Sequence, residues 1–249
     1  MFRNFDLTSV LISYVVLLFS LCVHEASHAA SAYWLGDDTA KRMGRLTLNP
    51  IAHIDPIGTV LFPLLGMSTG IPLIGWAKPV PFNPVNFTRK IRMRTGDMIV
   101  SAAGPASNLL LAILAMPTVA VLVRFLVSMP DQRVMVFRDA LMGGYHNLIT
   151  AGFGPGLALV LVLVGKLVWL NLALALFNLL PMGPLDGAWI LRGFLPDRWV
   201  PTFDHYRPAM GILLLILVML TDVLGYLLGP VLDFLFRLLL PVARLILGF

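Results

Sequence analysis

His24-Glu25-Ala26-Ser27-His28 puts two imidazoles four residues apart, with a carboxylate beside the first. On a helix that spacing brings both rings to one face, one turn apart, so that both can reach a single zinc ion. Glu25, the only glutamate in the chain, is placed to take a proton from a water activated by the metal without filling a coordination position. With five histidines and one glutamate in 249 residues, chance yields this pattern in roughly 4 of 10,000 chains of such composition. A catalytic zinc takes three protein ligands and keeps a fourth position open, so a further ligand must come from elsewhere in the chain.

The surrounding chain is 58% hydrophobic and 12% charged, with a mean hydropathy of +0.87. That composition excludes an ordinary soluble domain and implies a membrane protein. A hydrocarbon core of about 30 Å needs about 20 mostly apolar residues in a helix. Four or five runs are long enough: about 8–35, 97–128, 147–181, 208–228, and 231–248, the last interrupted by Asp233, Arg237 and Arg244. The expected fold is an all-α polytopic membrane protein, a bundle of four to five transmembrane helices. It forms a single domain over 1–249, without a cleavable signal peptide, an internal repeat or an appended soluble domain. Residues 57–77 are apolar but broken by Pro63, Gly66, Gly70, Pro72 and Gly75, which predicts a re-entrant hairpin or loop rather than a spanning helix.

Depth gives the histidines their meaning. At about 1.5 Å per residue, His28 lies about 10 Å and His24 about 16 Å from the helix exit near Leu35. Ionisable groups that deep face a bundle interior or a wet cavity, and coordination to a dication compensates their burial. A pair of hydrogen-bonded core histidines is the plainer alternative.

The formal charge of +5 reads as topology rather than nucleic-acid binding. Segments 36–56, 78–95 and 187–207 carry eleven Lys and Arg, against three (Arg3, Arg133, Arg138) on the other side, so the first set is expected in the cytoplasm. Asp186, at the end of the third run, then falls on the same side as the end of the first run that carries the histidines, which makes it the best third ligand. Asp222 and Asp233 lack a neighbouring backbone-breaking motif, and His146 lies on the opposite side. His53 is expected either behind the metal ligands or capping a turn. Asn108 and Asn171 are expected to bridge helices, or to contact substrate. Gly104, Ala106 and Ser107 are expected to give close helix packing. Lys166, alone in an apolar run, is expected to snorkel or to pair with Asp222.

Four stretches now combine in content and order: the H-E-A-S-H helix; Gly44-Arg45-Leu46-Thr47-Leu48-Asn49-Pro50 with His53-Ile54-Asp55-Pro56; Ala103-Gly104-Pro105-Ala106-Ser107-Asn108; and Phe177 to Gly187, ending Leu185-Asp186-Gly187. Together, over about residues 20–195, the chain resembles the site-2 proteases, intramembrane zinc metalloproteases, in a minimal form without a PDZ or CBS domain. The resemblance implies one zinc per chain held by His24, His28 and Asp186, with Glu25 as catalytic acid and base. It makes Asn178 a substrate-facing or oxyanion-supporting residue and residues 57–77 a small membrane-associated β-hairpin whose edge could pair with an unwound substrate. The catalytic core would be about 8–195 and the helices at about 208–248 additions to it.

The activity so implied is hydrolysis of peptide bonds in or near transmembrane segments of membrane protein substrates. The partners are those substrates and the bilayer, not nucleic acid. The location is a multi-pass protein of the cell membrane with its active site toward the cytoplasm; the oligomeric state is left open. Two other readings stand beside it. A catalytically inactive metal-binding membrane chaperone, or pseudoprotease, would have no need of Glu25, and a metal transporter would line a path through several spans with ionisable groups instead of clustering them toward one side.

Overall fold

The computed structural model describes residues 6–69, 76–88 and 90–248, and among them all regular structure is helical. Ten α-helices follow in order: α1 (Leu7–Trp34), α2 (Thr39–Arg42), α3 (Phe62–Thr69), α4 (Met93–Leu126), α5 (Pro130–Met142), α6 (Tyr145–Thr150), α7 (Pro155–Asn178), α8 (Asp186–Phe194), α9 (Val200–Leu220) and α10 (Val223–Leu247). Of these, α1, α4 and α7 are long and apolar enough to cross a membrane, and the chain is a multi-pass membrane protein.

Helix ends follow local chemistry. The Asp6 carboxylate accepts from Thr8 N at 3.0 Å and opens α1, as an N-cap does. Gly36, at φ +106, closes it, a left-handed turn that a side chain would strain. The expected run at 147–181 is in fact two helices, α6 and α7, because Gly152 at φ +93 and Pro155 interrupt it. Likewise the expected runs at 208–228 and 231–248 are divided earlier, at Thr221, whose backbone is extended.

The expected β-hairpin over 57–77 is not seen in the part described. Asp55 accepts from the amides of Ile57 and Gly58 and caps a π-helical turn over Pro56–Leu61 that continues into α3. The capped amides start a helix where an alternating strand pattern would be needed, and the apolar run of 57–69 has no such alternation. Residues 70–75 of that segment lie outside the described residues. Beyond them, 76–83 is extended without forming a strand.

The chain divides into two compact units, with the divisions falling within α1, α4, α7 and α10. The unit made of 1–20, 109–173 and 229–249 carries the larger apolar core, including Met116, Val123, Leu148, Leu161 and Leu172. In it α7 approaches α5 so closely that a Cβ on Gly165 would lie 2.3 Å from Ala140 O, the small-residue contact on which helix packing in lipid depends. Lys166 lies against Gly143 at the end of α5, where a Cβ would come within 2.7 Å of its ammonium nitrogen. A cation at a helix C-terminus meets the negative end of the helix dipole.

The other unit, 21–108 and 174–228, holds smaller apolar clusters, Ala29 with Ala40 and Val80, and Ala32 with Phe87 and Val100. Buried polar side chains hold much of the rest. Asp37 is the hub of one group: its Oδ1 accepts from Thr39 N, Thr39 Oγ1 and Asn86 Nδ2, and its Oδ2 from Asn83 N. These bonds fix the connection 76–88 against the end of α1.

Candidate active site

His24 and His28 are one helical turn apart on α1, and both are buried. Their Nε2 atoms are 3.1 Å apart. Asp186, the first residue of α8, reaches both: Oδ2 lies 3.1 Å from His24 Nε2 and Oδ1 lies 3.4 Å from His28 Nε2. The structure therefore brings together the three side chains named as ligands from the sequence. Three tetrahedral ligands about 2.0–2.1 Å from a zinc ion stand about 3.3–3.4 Å apart, so the triangle has the right size.

The protons point to the same conclusion. His24 Nδ1–H donates to Asn108 Oδ1 at 2.6 Å, and His28 Nδ1–H donates to Val100 O at 2.7 Å. Because both acceptors lack protons, each ring carries a hydrogen on Nδ1 and, in its neutral form, turns the Nε2 lone pair inward. Two lone pairs and a carboxylate then converge with no hydrogen among them. Asp186 Oδ2 is buried without a hydrogen-bond partner despite its closeness to His24. Such an arrangement repels unless a cation sits at its centre, and the outer hydrogen bonds are those that orient metal-binding histidines. The donor set of two imidazoles and one carboxylate suits zinc.

Space for an ion is kept by α4. A Cβ on Gly104 would lie 2.5 Å from His24 Nε2 and 2.5 Å from His28 Nε2, so any larger residue would fill the cradle. Gly104 and Asn108 are four apart and share a helix face, which is why one stretch supplies both the clearance and the acceptor for His24. From the sequence Asn108 read as a bridge between helices; the bridge it makes is to the imidazole itself.

Glu25 is beside these three side chains without belonging to the triangle. Its ligand atom and those of His24 and His28 all lie within 4.8 Å of one another, and its Oε2 accepts from Val80 N at 3.0 Å. That amide belongs to the extended stretch 76–83, which is itself tied down. Trp76 N donates to Gly58 O and Lys78 N to His53 O, while Arg45 Nη2 donates to Lys78 O and Pro79 O. Neither Arg45 nor Val80 was legible as part of the site, since hydrogen bonds between distant backbone segments leave no mark in residue spacing.

Two expected residues stand apart from the triangle. His53 is buried, with Nε2 on Thr47 O at 2.9 Å; it fixes the Gly44–Pro50 turn and offers its carbonyl to Lys78. Asn178 ends α7 with its side-chain amide donating to Leu174 O of the same helix at 2.9 Å.

Comparison with known proteins supplies the family. Residues 12–220 match peptidase family M50. YwhC of Bacillus subtilis (strain 168), whose name assigns it provisionally to the zinc metalloproteases, is 36% identical over 221 residues, 88% of this chain and 84% of its own length. Rip2 of Mycolicibacterium smegmatis, provisionally named in the same way, is 29% identical over 210 residues, 84% of this chain and 66% of its own length. Rip2 of Mycobacterium tuberculosis (strain H37Rv) is 28% identical over 215 residues, 86% of this chain and 69% of its own. No solved structure matches. With the family match covering most of the chain and the Bacillus relative aligned over nearly all of it, the chain belongs to peptidase family M50, the site-2 proteases.

Proposed function

We propose that this chain is an intramembrane zinc endopeptidase that hydrolyses peptide bonds in or near transmembrane segments of membrane proteins, using His24, His28 and Asp186 as metal ligands and Glu25 as acid and base. The reading rests above all on one observation. The Nε2 atoms of His24 and His28 and the carboxylate of Asp186 meet in a 3.1–3.4 Å triangle buried toward one end of an apolar helix. Zinc bound there would act as a Lewis acid, acidifying water and polarising a scissile carbonyl.

The chain's own groups supply the rest. Asn108 and Val100 hold the rings in the tautomer that presents Nε2. The Val80 amide holds one oxygen of Glu25 in place and leaves Oε1 to accept a proton and later return it to the leaving amine. Because a helical substrate hides its carbonyls in hydrogen bonds, it must unwind locally before it can be cut. Asn178, close in sequence to Asp186, is the residue proposed to meet the substrate there.

The test is Glu25→Gln in the purified chain with a transmembrane peptide. Zinc content should stay at one per chain while cleavage drops by at least about 100-fold, the scale of a lost general base. Full cleavage by this variant would overturn the role of Glu25. Bound zinc with no cleavage by the unaltered chain, across varied transmembrane peptides, would favour a holding protein instead.

A further inference from the structure

We propose that the cavity formed by the Gly183–Pro184 turn, α8 and α9 binds the phosphate of a membrane phospholipid, with Arg207 as its ligand. The cavity has a volume of about 440 Å³ and is lined by Gly183, Pro184, Trp189, Arg207, Gly211 and Ile212 among others, a size that suits a headgroup. The guanidinium of Arg207 lies 3.8 Å from the centre of the Trp189 ring, held face-on by a cation–π contact. Its Nη1 is buried and has no hydrogen-bond partner. A buried donor without an acceptor is unfavourable, and a charged one more so.

The neighbouring arginines are already satisfied. Arg192 donates to Asp204 and pairs with Asp97. Arg94 pairs with Asp197 and donates to Gly193 O and Leu195 O. Among the described residues Arg207 is the arginine of this group left without an anion.

The choice of a lipid over a free anion comes from α9. Asp204, His205 and Tyr206 directly precede Arg207, and the residues from Met210 onward are almost wholly apolar, so Arg207 marks the level at which headgroup phosphates lie. Ile212 lines the cavity, and Ile216 and Leu220 continue from it at four-residue spacing on one helix face. All three are exposed, at 62%, 48% and 77%. Phosphate at Arg207 and an acyl chain along Ile212, Ile216 and Leu220 would cover both features with one molecule. The floor of the site is firm: a Cβ on Gly211 would lie 2.1 Å from Gly183 O, and a Cβ on Gly183 2.5 Å from Arg207 Cγ. The headgroup would therefore rest on the turn that leads into Asp186.

Native mass spectrometry of the full chain, released from detergent with dioleoylphosphatidylglycerol, tests the site without reference to peptide cleavage. One lipid should persist per chain, and Arg207→Gln should weaken its retention roughly five- to tenfold, with Arg207→Lys in between. Ile216→Gln, at an exposed position that leaves Arg207 folded, should weaken lipid retention but leave competition by inorganic phosphate unchanged. Equal retention by the wild type, Arg207→Gln and Ile216→Gln would overturn the proposal. Inorganic phosphate displacing the lipid at equal concentration would overturn the lipid assignment and leave a plain anion site.

Discussion

Asn108 orients one imidazole of the proposed metal site. Its Oδ1 takes the His24 Nδ1 hydrogen at 2.6 Å, which both turns the ring and fixes its tautomer. Removing that acceptor leaves Nδ1–H buried and lets the second tautomer, with its hydrogen on Nε2, compete. Asn108→Ala should therefore lower zinc affinity by about 10–100-fold, read by competition with a chromogenic chelator, and Asn108→Asp should restore much of it. An unchanged affinity in the alanine variant would mean that the bond serves helix packing alone. The meeting of these three side chains was legible because His24 and His28 obey a helical period and because Asp186 follows a distinctive turn. The acceptors Asn108 and Val100 were not, since nothing in residue type separates an asparagine that bridges helices from one that orients a ring.

The extended stretch 76–83 and the connection after it do for Glu25 what α4 does for the histidines. Val80 N can hold Glu25 only while 76–83 keeps its place, and Asp37 anchors the following residues through Asn83 and Asn86. Burial pushes the Asp37 carboxyl up, but its hydrogen bonds with Asn86, Thr39 and Asn83 outweigh this and hold it below its ordinary value of 3.8. A carboxyl whose pKa is depressed by folding stabilises the protein above its unfolded pKa, and that contribution is lost as pH falls through the folded value. Asp37→Ala should then cost about 2 kcal/mol near neutrality, with zinc retained and turnover reduced. The gap in thermal stability from the unaltered chain should close below pH 3.8. A gap that persisted undiminished in acid would assign the loss to packing rather than to the carboxylate. Helix positions were readable from apolar runs, and their ends were displaced where Gly152, Pro155 and Thr221 interrupt what hydropathy alone joins. The described part of 57–77 departs from the expected hairpin or loop for the same reason: proline and glycine rule out a long helix, but they do not separate a hairpin or loop from a short helix begun by an Asp55 cap.

Orientation in the membrane belongs to the whole chain, because it is decided by the sum of charges on each side rather than by any one contact. Eleven Lys and Arg fall in the segments 36–56, 78–95 and 187–207, against three in the opposite set. Each basic residue near the anionic inner leaflet is worth about 1 kcal/mol, so the imbalance outweighs any single misplaced charge. On this account the segments flanking Glu25 and Asp186 are expected to face the cytoplasm, where cleaved fragments would be released. Val85 is exposed within one of these segments and lies outside every hydrogen bond that fixes Asp37; its amide donates to Asn83 Oδ1. The one native cysteine, Cys22, is buried and can be replaced by serine to remove background. In that background Val85→Cys should react with a membrane-impermeant maleimide in inside-out vesicles and stay unlabelled in intact cells until the membrane is opened. Labelling of intact cells would place the active-site end outside, and would mean that charge in the loops is not what sets the direction of this protein.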